Sequence, residues 1–492
     1  MIKKSNSIKR IGLLIYPFFV LITTSLNGQS PLPQAYQRIL NLDFNTSAEI
    51  GNIDSDIPNF DLYLENLRDV TSLIFSEDEE QFDILRKNEK ARLRELKELD
   101  SPSPYNDFFR AEIKIQWAFI KLKFGEQWNG VWALRSAYKI INDNIENYPD
   151  FDLNYKALGL LHVIFGAVPD RYQWVLGIFG LEGDTKAGLA ELYELMNHPS
   201  VFRKEIMVIS ALIESYLMEN HEGAVKLIKA ENKDITHLER YALALVLMKS
   251  HQSANAATLL QNSLHSLKSP EATPLFTYLL AETQFQEGNY TEAIKNYDFF
   301  LRNFRGINQL KDASFKAGLC ALFMGDQRQS GIYFAEARQR SETDAEVDKN
   351  AQKLLDTKPF PDPVLLQIRF SIDGGFYQLA DSLLSSVSVN SFEPYQQFEL
   401  IYRKARLNHL QGNYEQAIDY YRQVISKEEK VPENYFVPNS FLQLGYLQQD
   451  LGNTDMALMY FEKVLTFRKH PYKNSLDSKA KIALKGLRKS GD

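Results

Sequence analysis

The chain of 492 residues has one cysteine, Cys320, so no disulfide can form within it. That thiol sits in KAGLCALFMG on an expected helix, where an apolar, buried role suits it better than nucleophilic chemistry. The eight histidines (His162, His198, His221, His237, His251, His265, His409 and His470) make no Cys/His cluster and no H-E-x-x-H, so no metal site is legible. A serine elbow and a Gly-rich dinucleotide fingerprint are both missing. GDTKAG at 183–188 lacks the lysine of a phosphate loop, because Leu189 stands in its place. No long basic stripe is present, which argues against nucleic acid as a partner. Carboxylates are many but scattered, so no pair can be nominated as general acid and base. These absences point to a chain that is no enzyme and needs no cofactor.

Long apolar runs are scarce too. The clearest, residues 11–26, follows Lys3, Lys4, Lys9 and Arg10 and contains Pro17, and the first acidic residue is Asp43. Thr23, Thr24, Ser25 and Gly28 offer cleavage points, so residues 1–28 are expected to be a signal peptide. An uncleaved membrane anchor is the alternative. Either way the remainder is expected to be exported, and periplasmic if the source is a Gram-negative bacterium. No cysteine stands near the signal for lipoprotein attachment. From a formal charge of −7, loss of the four leader cations leaves −11. Asp170 and Arg171 interrupt the apolar stretch 163–181 and exclude it as a span.

What is present is repetition. EGNYTEAIKNY (287–297) and QGNYEQAIDYY (411–421) nearly coincide, and LGNTDMALMYF (451–461), MGDQRQSGIYF (324–334) and GGFYQLADSLL (374–384) are looser copies. Gly288, Gly325, Gly375, Gly412 and Gly452 each follow an apolar helical stretch, as a left-handed helix end requires. Five residues on comes a small side chain (Ala293, Ser330, Ala380, Ala417, Ala457), where two helices are expected to cross closely. One turn further lies Tyr297, Phe334, Leu384, Tyr421 or Phe461, on the same face. Seven before the glycine stands Ala281, Gly318, Ala405 or Gly445, with Ile368 the exception. Backwards, the ladder extends to Ala257 and Ala224. This pattern resembles the tetratricopeptide repeat, a helix–turn–helix unit of about 34 residues. The resemblance implies an all-α fold, an α-solenoid of tetratricopeptide-like units that buries each repeat against its neighbours and binds other proteins.

The expected organisation is a signal at 1–28, an irregular segment at 29–60, divergent helical repeats at 61–200 and a tetratricopeptide array at 201–492. Helices are expected over 62–75 and 77–99, and a disguised repeat over 110–145, with Trp117, Trp128 and Trp132 in its core. DTKPFPDP at 356–363 cannot continue a helix and marks either a plain loop between repeats or a hinge. Residues 159–192 are the least ordinary. An apolar helix runs into Pro169, a second apolar segment carries Trp174 and Phe179, and Asp184 is placed to cap the next helix. With Gly183, Asp184, Gly188 and Leu189, this stretch is similar to the inclusion-body-clearance family of tetratricopeptide proteins, a likeness that implies a helical repeat and no catalytic residue.

Function is therefore expected to be recognition. In tetratricopeptide arrays the first helix of each pair lines the groove. The resemblance then places Tyr402, Arg406, His409, Tyr446 and Gln449 on the partner-facing side, with Tyr278, Glu282 and Phe285 from an earlier repeat. Arg403 and Arg406 suit an acidic peptide. The expectation is an exported scaffold holding a protein or peptide, near a membrane. The alternative is a lipid or small-ligand carrier using the hairpin 159–181, with Tyr172, Trp174 and Phe179 as its hydrophobic patch.

Overall fold

The computed structural model describes residues 33–53, 55–168, 176–177, 180–229, 235–341, 343–427 and 434–489. Among these residues the chain forms twenty-four α-helices and one 3-10 turn, with no strand. Contacts divide it into two compact units. Unit 1 comprises Met1–Phe285 with Asn289–Asp356, and unit 2 comprises Gln286–Gly288 with Thr357–Asp492. The boundary at 356/357 falls on the proline-rich DTKPFPDP and not at residue 200.

In unit 1, α1 (Gln34–Leu40), α2 (Ser47–Ile50), α3 (Phe60–Ser76) and α4 (Glu79–Glu98) come first. The segment 29–60 is thus not wholly irregular: α1 buries Ala35, Tyr36, Ile39 and Leu40. Hairpins follow: α5/α6 (Pro104–Lys123, Gln127–Asn147), α7/α8 (Asn154–Gly166, Thr185–Met196), α9/α10 (Arg203–Tyr216, His221–Lys229) and α11/α12 (His237–Lys249, Ser253–Ser266). Then come α13/α14 (Thr273–Glu287, Tyr290–Asn303), α15/α16 (Leu310–Phe323, Gln327–Gln339) and α17 (Glu346–Asp356). Unit 2 holds α18/α19 (Pro363–Gly374, Tyr377–Ser386), the 3-10 turn Val389–Ser391, α20/α21 (Pro394–Leu410, Tyr414–Ile425), α22/α23 (Phe436–Asp450, Thr454–Thr466) and α24 (Lys473–Lys489).

One turn recurs through both units. The glycines 288, 325, 375, 412 and 452 have φ between 78° and 87°, and Gly125 joins them at 81°. The residue after each glycine sends its N–H back to the carbonyl five residues earlier: Asn289 to Gln284, Asp326 to Ala321, Phe376 to Ser371, Asn413 to Asn408 and Asn453 to Gln448, at 2.8–2.9 Å. This bond satisfies a carbonyl that the ending helix leaves unpaired. It also starts the second helix at a fixed offset, so the small residue returns in register. Ala293, Ala380, Ala417 and Ala457 are wholly buried and Ser330 nearly so. One rung is displaced. Ala256 is buried, while Ala257 is half-buried, because this turn is made by His251 at φ 59° with no glycine.

The pair α7/α8 crosses more closely than any small side chain other than glycine would allow. A Cβ on Gly188 would lie 2.4 Å from the carbonyl oxygen of Gly159. Asp184 caps α8 as expected, accepting from the N–H groups of Lys186 and Ala187 at 2.9 and 3.1 Å.

Candidate functional site

Helix α3 has the sequence FDLYLENLRDVTSLIFS, with Asp61, Glu65, Arg68 and Ser72 on one narrow polar stripe and a wide, mainly apolar face around the rest. So wide a face needs more than one neighbour to cover it, and thirteen of its 17 residues are buried, Asn66 and Asp69 among them. Its neighbours are the first helices of successive hairpins in unit 1. Phe60 and Tyr63 pack on Phe109 of α5 and on Phe202, which caps α9. Asn66 donates to Gln116 at 2.6 Å and accepts from the Trp117 indole at 2.7 Å, both on α5. Phe75 packs on Tyr241 of α11 and Phe276 of α13 at ring separations of 5.0 and 6.3 Å. The chain's own helix therefore lies along the face that first helices form.

Buried polar clusters fasten both ends of α3. At its start, Tyr63 donates to Glu205 of α9, and Tyr36 of α1 donates to the same carboxylate. Lys156 of α7 lies 2.8 Å from Glu205 and also binds Glu112 of α5. Burial alone would lower the Lys156 pKa, but the two carboxylates outweigh it and hold the ammonium above its ordinary value. Burial, with the Glu205 charge beside them, pushes the Tyr36 and Tyr63 hydroxyls well up, so both stay protonated donors. At the other end Glu77 leaves the helix with φ 48° and binds Lys123 and Asn308, and Asp78 meets Arg305 at 3.0 Å. Midway, Arg92 of α4 pairs with Asp69 at 2.7 Å, both buried.

In unit 2 the first helices α18, α20 and α22 hold a smaller polar set. Arg406 donates to the neutral Gln443 amide at 2.6 Å, and Arg403 pairs with Glu399 on its own helix at 2.6 Å. Burial works against the Arg406 charge, but the Tyr421 and Tyr402 hydroxyls beside it, and the Asp373 carboxylate, hold its pKa above the ordinary value, so it is cationic throughout.

Comparison with known proteins agrees with this construction of paired helices. One tetratricopeptide repeat model matches residues 397–470 and another matches residues 241–327. The chain is a tetratricopeptide repeat protein. Among solved structures it is similar to the apo quorum sensor NprR from B. thuringiensis, at 14% identity over 72% of this chain and 98% of that one, with a TM-score of 0.36. A human IFIT1 dimer with PPP-AAAA shows 13% identity over 94% of each chain and a TM-score of 0.35. A tetratricopeptide repeat protein from Parabacteroides merdae shows 13% identity over 60% of this chain and 97% of that one, with a TM-score of 0.21. No curated protein matches the chain. These likenesses transfer no partner or ligand to it.

In this tetratricopeptide repeat protein one of the expected contact residues of unit 2 is core. Tyr402 is 2% exposed, and its hydroxyl accepts from Asn439, so it is core and not a contact. A tyrosine at a first-helix position was spent on packing between α20, α21 and α22. Arg406, His409 and Tyr446 are half-buried, and Gln449 is exposed. His409 pairs with the Tyr421 hydroxyl at 3.2 Å, and Tyr446 sets its ring edge-on to Phe461. In unit 1, Tyr278, Glu282 and Phe285 are all buried, with Tyr278 donating to Asp312 and Glu282 binding Lys316 and Tyr297.

Tyr172, Trp174 and Phe179 lie outside the described residues, as does the expected signal at 1–28. The described part of the hairpin is core: Leu160, Leu161, Val163, Ile164 and Phe165 are buried. Of the three tryptophans expected in the core, only Trp117 is there; Trp128 and Trp132 are each 49% exposed on α6. An open cleft of about 420 Å³ lies between α8, α9 and α10, lined by Tyr193, Met196, Met207 and Leu227 among others. Cys320 is buried, and burial raises its thiol pKa well above the ordinary value. Sequence reasoning missed α3 as a groove-filling element, although the width of its apolar face was the available signal.

Proposed function

We propose that this protein is an exported, non-enzymatic adaptor that holds a protein or peptide on unit 2. The observation that carries this reading is the occupancy of unit 1. Its first-helix face is taken by α3, so recognition of a foreign segment falls to the first helices of unit 2. There Arg406 is cationic and donates to the neutral Gln443 amide, and its charge, which also acts with Asp373, suits a carboxylate of an acidic partner. Tyr446 and Gln449 on α22 supply an aromatic edge and an amide. Export rests on the basic and apolar pattern of residues 3–26.

The test is capture from native membranes by the wild type and by an Arg406→Ala/Tyr446→Ala double variant. The wild type is expected to recover a defined protein that the variant loses while its helicity is unchanged. The same protein recovered at the same yield by both would contradict the reading. A second reading, a small-ligand carrier, is favoured by the cleft lined by Tyr193, Met196, Met207 and Leu227, whose volume suits a small ligand. Extractable small ligand without any protein partner is the outcome that selects it.

A further inference from the structure

The chain carries a formal charge of −7, yet residues 468–489 hold eight lysines and arginines against the single Asp477, a basic stretch that corrects the expectation of none. Helix α24 turns this composition into a surface. Leu476, Ala480 and Leu484 are buried at helical spacing and pack among the aromatic and aliphatic residues of α22 and α23. The opposite stripe, Asn474, Ser478, Lys481, Lys485 and Arg488, is exposed throughout, with Arg488 pairing at 2.6 Å with the exposed Glu462 of α23. These positions are three and four residues apart, so their side chains emerge on one face. Beside them Ile482 is 43% exposed. On the segment leading into the helix, Arg468, Lys469 and Tyr472 are also exposed.

We infer that the outer face of α24 is a docking surface for an anionic lipid bilayer. Three features favour a bilayer over an acidic protein or a nucleic acid. The charges sit along the exposed face of one helix, opposite the stripe that packs on α22 and α23. They are mostly lysines, compact point charges suited to headgroups, whereas planar arginines dominate bidentate recognition. An apolar Ile482 stands among them, as on helices that rest at a membrane interface. Since the apolar stripe of α24 is already packed inside unit 2, attachment is electrostatic and the helix stays seated in its unit. Each exposed cation near an anionic surface contributes about fivefold in binding, and salt screens it.

The experiment is cosedimentation of the full chain with vesicles of phosphatidylcholine, with and without phosphatidylglycerol. Lys3, Lys4, Lys9 and Arg10 also favour anionic headgroups, so all four are changed to Gln in both proteins compared, and the ratio of the two lipids then reports the α24 face. The protein with native α24 is expected to favour the anionic vesicles, and 0.5 M salt (roughly a Debye length of 4 Å) to abolish that preference. Lys481→Gln/Lys485→Gln/Arg488→Gln is expected to lower the preference by about tenfold or more with unchanged helicity. These side chains are exposed, so the variant folds. Equal binding of the protein with native α24 to both vesicles, or a preference kept by the variant, overturns the inference. Tighter binding of a single-stranded oligonucleotide or of polyglutamate than of the vesicles also overturns it, in favour of that polyanion.

Discussion

Tyr63 of α3 places its hydroxyl 2.9 and 3.0 Å from the two carboxylate oxygens of Glu205 on α9, across 142 residues of chain. Tyr36 donates to the same carboxylate, and Lys156 binds it from α7. One side chain thus ties α1 and α3 to the hairpins. Glu205→Ala would strand two buried hydroxyls and leave Lys156 with Glu112 alone. The expected loss is about 3–5 kcal/mol, as for other broken buried ion pairs. Urea unfolding monitored at Trp117, which binds α3 through Asn66, measures it. A loss below about 1 kcal/mol would show that α3 is held by other means.

Two glycine-to-alanine changes have opposite expected signs. On Gly188 the new methyl would meet the Gly159 carbonyl oxygen at 2.4 Å and the Val163 nitrogen at 2.8 Å, both backbone atoms that cannot step aside. Gly188→Ala should cost about 1–3 kcal/mol or more through overpacking. On Gly331, within α16, a Cβ meets nothing within 4 Å. Gly331→Ala should stabilise by roughly 0.5–1 kcal/mol through helix propensity. Thermal melts of the two variants beside the wild type decide; equal melting temperatures would refute the close crossing of α7 and α8.

His237 gives the array a pH response. Burial, and then the charge of Arg240, lower its pKa from 6.5 to about 4. The folded state keeps the ring neutral, while the unfolded chain takes up a proton below about 6.5. Its contribution is therefore complete above pH 6.5 and is lost as pH falls toward 4. Imidazole NMR should show one histidine titrating near pH 4, absent from His237→Gln. A midpoint near 6.5 for that resonance would contradict the packed environment.

The repeats were legible because local chemistry alone dictates them. A left-handed glycine, a small residue five on and an aromatic four further are set by one turn and one helix crossing, and these fell as expected from Gly288 to Phe461. The rung at Ala257 slipped by one because a turn without glycine gives no marker in the sequence. Site residues were harder to read. A tyrosine at a first-helix position reads the same whether it faces a partner or packs inside, and Tyr402 packs inside. The placement of α3 depends on contacts such as Tyr63 with Glu205 and Phe75 with Phe276, which no local pattern encodes. Trp128 and Trp132 were misjudged for the converse reason: their exposure is a property of the surface, and size alone suggested core.

Amide hydrogen exchange across α3 tests the central claim, that unit 1 fills its own first-helix face. If α3 is seated among α5, α9, α11 and α13, amides from Leu62 to Phe75 should open only when unit 1 unfolds, with protection equal to that of α5. Exchange of those amides as fast as in a solvent-laid helix, while α5 stays protected, would show that the face is open and that unit 1 is free to take a partner.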